Sequence, residues 1–73
     1  MSKVIYSKEH KKIVDRLKQA RNEAGFDQNE VADRLNKSQS YLSKIELGQR
    51  RIDIIQLREL ASIYGKDVSF FID

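Results

Sequence analysis

The chain has no cysteine, no proline and only three glycines among its 73 residues. The lack of cysteine excludes a disulfide framework and a thiolate metal site. Gly25, Gly48 and Gly65 stand far apart and read as stops between helices, not as flexible linkers. No apolar run approaches the ~20 residues of a membrane span. The first ten residues, MSKVIYSKEH, lack the apolar stretch of a signal peptide. A cytoplasmic, reduced setting is therefore expected. His10 has no carboxylate at ligand spacing and reads as a surface histidine, so neither a metal nor another cofactor is expected. Asp15, Glu23 and Asp33 are scattered along helices and read as solvated faces. No Ser/His/Asp set, glycine-rich phosphate loop or paired carboxylates can be assembled, which argues against an enzyme.

What the chain does have is charge in the right place. Its net charge is +3, with 34% charged and 40% apolar residues. Residues 34–51 hold five cations (Arg34, Lys37, Lys44, Arg50, Arg51) and one anion, Glu46; the rest of the chain holds nine cations and ten anions. The whole excess is local, and such asymmetry is the footprint of an anionic partner.

The periodicity predicts an all-α domain over residues 8–73, a compact bundle of about five short helices, preceded by an arm over residues 1–7. Ser7 caps a first helix from Lys8 to Ala24, with Ile13, Leu17, Ala20 and Ala24 on one face. Asp27 and Glu30 form a capping box for a second helix that buries Val31, Ala32 and Leu35. Asn36 follows, a residue that tolerates a left-handed turn. Ser38 caps a third helix, about residues 39–47, with Leu42 and Ile45 facing inward. Asp53 caps a fourth helix, which buries Ile54, Leu57, Leu60, Ala61 and Tyr64. Asp67 caps a last short turn from which Val68, Phe71 and Ile72 can pack back. Residues 3–6 are the one β-like stretch, read as an arm that either enters the minor groove or contacts a partner subunit, the single Lys3 favouring the partner contact.

The second and third helices, joined by a four-residue break and followed by a basic loop, make a helix-turn-helix. The third helix suits the major groove, where its first residues meet base edges. Gln39 can pair bidentately with adenine, and Lys44 can donate to guanine O6 and N7. Ser38, Ser40 and Ser43 complete a polar reading face. Gln28, Lys37, Tyr41, Gln49, Arg50 and Arg51 are candidates for the phosphates, which fix register without reading sequence. Gln28 lies where the free amides of a helix N-terminus favour an anion.

Residues 17–25 (LKQARNEAG), 27–35 (DQNEVADRL), 38–48 (SQSYLSKIELG) and 57–65 (LRELASIYG) resemble the lambda-repressor/Cro type of helix-turn-helix domain, the Xre-like bacterial regulators. The resemblance covers about two-thirds of the chain. It implies that Gln28 contacts a phosphate and braces Gln39, that Arg21 pairs with Glu46, and that two copies bind an inverted repeat. The chain departs from the pattern at three places. Lys37 stands at a usually apolar position in the turn, Leu47 at a usually polar one, and Ile52 where proline is common.

A second surface is apolar. Ile55 and Ile63 lie outside the buried stripe of the fourth helix, and Phe70 is apolar at a usually polar position. Together with Phe71 they are the expected interface of a twofold homodimer, since exposed apolar patches mark interfaces. The expected function is sequence-specific binding of double-stranded DNA by a small dimeric transcription regulator of bacterial or phage type, such as a repressor. No membrane contact or small-molecule effector is expected. The alternative is a protein-interaction module of the same fold, such as an antitoxin that mainly grips a partner protein.

Overall fold

The computed structural model describes residues 7–73, so residues 1–6 of the expected arm lie outside the described residues. Five helices follow one another: α1 (Lys8–Ala24), α2 (Gln28–Leu35), α3 (Gln39–Glu46), α4 (Ile54–Tyr64) and α5 (Ser69–Ile72). Each of the first four begins at a side chain that accepts a hydrogen bond from the backbone N–H three residues on. These caps are Ser7, Asp27, Ser38 and Asp53. A free N–H at a helix start is thereby satisfied locally, which is why the starts are legible in the sequence. The boxes at α2 and α4 are reciprocal, since Glu30 and Gln56 each accept from the backbone N–H of their cap.

α2 and α3 are joined by the turn that the sequence predicts. Asn36 takes the left-handed conformation, with φ of 58°. The N–H of Lys37 donates to the carbonyl of Ala32 at 2.9 Å, which closes the end of α2. Lys37 does not disturb this turn. Its side chain is exposed, and its ammonium lies 5.2 Å from the centre of the Tyr41 ring.

α1 packs on α3, α4 and α5, while α2 packs on α3 and α4. The core they enclose is Leu17, Ala20, Val31, Leu42, Ile45, Leu57, Leu60, Ala61, Tyr64 and Phe71. Ile13, Leu35, Ile52, Ile63, Val68 and Phe70 pack at its margin.

Five expectations need correction. Ala24 is exposed, because the chain turns away at Gly25 and the covered face of α1 stops at Ala20. Ile54 is 58% exposed, since the first turn of α4 overhangs the core. Ile72 is 52% exposed, whereas Phe71, its neighbour on the opposite side of the short α5, is fully buried. Phe71 is thus a core residue and leaves the apolar surface to which it was assigned. Asp67 does not cap α5; its carboxylate accepts from the Ser69 hydroxyl, and no side chain caps that helix.

Candidate nucleic-acid interface

The first turn of α3 is open. Gln39, Ser40 and Lys44 are exposed, and Ser43 is half-buried. Ser38 is also exposed, but its hydroxyl oxygen accepts from the N–H of Tyr41, so it shapes the start of the helix. Leu42 and Ile45 face the opposite way and are buried, which fixes the rotation of α3 and keeps its polar face outward.

A relay of four side chains, Arg21, Glu46, Gln28 and Gln39, runs behind that face. The Arg21 guanidinium donates from Nε to Glu46 Oε2 at 2.7 Å and from Nη2 to Glu46 Oε1 at 3.0 Å. Its Nη1 donates to the carbonyl of Phe26 at 2.9 Å. Glu46 is only 5% exposed, so this forked pair is largely withdrawn from solvent. The hydrogen bond to Glu46 holds the Arg21 guanidinium above its already high ordinary pKa, against the opposing pull of burial. Gln28 Nε2 also donates to Glu46 Oε1, at 2.9 Å. Gln28 Oε1 in turn accepts from Gln39 Nε2. The end of α1, the start of α2 and both ends of α3 are thereby tied through one carboxylate.

Tyr41 organises the cations. The Lys37 ammonium and the Arg50 guanidinium both lie over its ring, 5.2 Å and 4.6 Å from the ring centre. Its hydroxyl accepts from Gln56 Nε2 at 2.7 Å, so the ring is anchored to the capping box of α4. The phenol keeps its own proton to donate. Gln49, Arg50 and Arg51 are exposed, and the N–H of Gln49 closes the end of α3 on the carbonyl of Lys44. Arg34 differs from the other cations of the basic segment. It stacks on Phe26 at 4.5 Å and lines a groove with α4.

The sequence reading missed Gln56 and the central place of Tyr41. The spacing of Asp53 and Gln56 matches a capping box and could have shown half of this. The hydrogen bond of Gln56 to a ring 15 residues earlier has no local signature. His10 was also misjudged. It is half-buried, its Nε2 has no partner among the described residues, and it lines a cleft with Val14, Glu46 and Leu47.

A helix-turn-helix family profile matches residues 17–71. That span runs from the core of α1 to α5 and includes the relay and the Tyr41 cluster. The chain belongs to the Cro/C1-type helix-turn-helix family. It is also similar to the HTH-type transcriptional regulator RamB of two Mycobacterium tuberculosis strains, CDC 1551 / Oshkosh and H37Rv. In each case 39% of 59 aligned residues are identical, covering 81% of this chain and 12% of the relative. The chain thus spans about an eighth of the length of those regulators. Family membership makes it a helix-turn-helix DNA-binding domain. The protein-interaction alternative is not favoured. Among the described residues no helix is long and apolar enough to cross a membrane.

Proposed function

We propose that the chain binds double-stranded DNA sequence-specifically, with α3 in the major groove. One observation carries this reading. The relay occupies one amide proton of Gln39 and leaves its second proton and its carbonyl oxygen at an exposed helix start. A side-by-side donor and acceptor match the N7 and N6 edge of adenine. Ser40, Ser43 and Lys44 extend the reading face, with Ser38 at its edge. Arg50, Arg51, Lys37, Gln49 and the phenolic proton of Tyr41 meet phosphates. Gln28 adds its remaining amide proton and its place at the N-terminus of α2.

The second part of the proposal is a twofold homodimer on an inverted repeat. Ile55 is 67% exposed and borders an open groove of roughly 630 Å3 between the end of α2 and α4, lined also by Arg34, Arg58, Glu59 and Ile63. Ile63 and Phe70 lie at the core margin, so their contribution is partial. A twofold axis would set the two copies of α3 about 34 Å apart, one turn of DNA.

Selection from random duplexes tests both parts. The expected product is an inverted repeat containing an adenine per half-site, with affinity that falls steeply with salt, as for ~4 phosphate contacts per subunit. No binding to any duplex at low salt would defeat the DNA reading. Enrichment of single half-sites, with a monomer in sedimentation at tens of micromolar, would defeat the dimer alone.

A further inference from the structure

We infer that Glu46, which touches no base, is a specificity-positioning residue, because its carboxylate sets the direction in which Gln39 presents its amide. The inference rests on the reading of α3 as the base-reading helix.

The argument turns on what each group can accept or donate. An ionised carboxylate only accepts. Both Glu46 oxygens accept from Arg21 in the forked contact, so the carboxylate meets Gln28 as an acceptor. The atom of Gln28 that faces Glu46 must therefore be Nε2, and the atom left for Gln39 must be Oε1. An oxygen can only accept, so Gln39 must turn Nε2 towards Gln28. Its carbonyl oxygen then points the other way. Two amides that would each be free to flip by 180° are locked head to tail by one charge. A flip of either would set oxygen against oxygen or N–H against N–H.

That direction bears on base choice. A freely flipping glutamine offers donor and acceptor in either order along the groove. It then matches more than one base-pair edge, since adenine offers acceptor then donor and the middle of a G·C pair does likewise across its two bases. A locked amide offers a single order at a single height. Arg21 joins the same device, since it holds the carboxylate through two donors and the Phe26 carbonyl through a third. Burial of Glu46 removes the water that would otherwise compete for its oxygens.

Two variants separate direction from fold. Gln28→Met cuts the relay and leaves the Arg21–Glu46 pair in place. The double variant Arg21→Met with Glu46→Gln removes the charge without leaving an unpaired guanidinium, and gives Gln28 a partner that both donates and accepts. Each is titrated against the selected duplex, against the same duplex with the adenine of the Gln39 step replaced by each other base, and against random duplex. The ratio of selected to replaced affinity is expected to fall roughly tenfold in both variants, the discrimination of one bidentate pair. Affinity of the double variant for random duplex should hold, with an unchanged circular dichroism spectrum. In the free wild-type protein, one Nε2 proton of Gln28 and one of Gln39 should exchange with solvent more slowly than their geminal partners. Equal exchange of both pairs overturns the relay whatever the variants do. An unchanged ratio in both folded variants overturns the inference but leaves the DNA reading intact. A wild type with no base preference overturns both.

Discussion

Two aromatic rings in this small domain each hold two cations, yet the two arrangements serve different ends. Tyr41 has Lys37 and Arg50 over its ring. Phe70 has Arg16 and Lys66 over its ring, 5.3 Å and 4.6 Å from the ring centre. Around Phe70 the cations have further work inside the protein. Arg16 Nη1 donates to the carbonyl of Phe70, and Lys66 pairs with Glu23 at 2.8 Å. Both are half-buried. The cluster binds the C-terminal turn to α1 and to the end of α4. Around Tyr41, Lys37 and Arg50 are exposed and have no acidic partner among the described residues. A ring face attracts a cation without consuming its hydrogen-bond donors. The first cluster thus closes the fold, while the second gathers donors at the surface and leaves them unspent.

The comparison has consequences that can be measured. The largest concerns the carboxylate on which the reading face rests. Glu46→Ala should cost ~3 kcal/mol in urea unfolding, because it leaves the half-buried Arg21 guanidinium and the Gln28 amide without their shared partner. A loss below ~1 kcal/mol would mean that solvent reaches the pair. The next tests the two rings directly. Tyr41→Leu should weaken binding to all duplexes on the order of tenfold and flatten the salt dependence, with little change in melting temperature. Arg16→Met should do the reverse, lowering stability by about 1 kcal/mol while leaving DNA affinity unchanged. If the two variants exchanged these effects, the division between presenting and closing clusters would be wrong.

A smaller effect lies at Tyr64. Its hydroxyl is buried without a partner among the described residues, and burial pushes the phenol well above its ordinary pKa. Tyr64→Phe should therefore be neutral or stabilising at pH 7, by up to ~1 kcal/mol. A pKa raised by folding gives stability that is complete below the unfolded value near 10.0 and is lost as pH rises through the folded value. Loss of stability should accordingly begin as pH rises above 10.0 in the wild type and be delayed in the variant. The smallest effect is at the surface. Lys66, and after it Gln19, holds the Glu23 carboxyl below its ordinary value of 4.5. This contribution is present above 4.5 and fades as pH falls through the lower folded value. A Glu23→Gln variant should show slightly less acid dependence in thermal melts, and an identical acid limb would show that the pair is fully screened.

Much of the fold was legible because it is local. Ser7, Asp27, Ser38 and Asp53 each satisfy an N–H three residues away, so the helix starts could be read from short windows. Asn36 marked its own left-handed turn. Coverage was less legible. Ala24, Ile54 and Ile72 have the right period but lie where no other element reaches them, and periodicity reports a face without saying whether anything covers it. Phe70 and Ile63 were read as free apolar surface, but two cations and the core margin claim them. In the site, residue types were legible and partners were not. Nothing near Tyr41 in sequence announces Gln56, and nothing near Gln39 announces its amide orientation.

What the sequence by itself determined are the helices, their caps, the turn between α2 and α3 and the polar face of α3, since these depend on neighbours within about one helical turn. Only the tertiary structure decided which apolar groups are covered, which cations remain available, and which way Gln39 points. Those outcomes depend on hydrogen bonds that span 11, 18 and 25 residues of chain, from Gln39 to Gln28, from Gln28 to Glu46 and from Glu46 to Arg21. Such contacts exist only once α1, α2 and α3 have packed around one core.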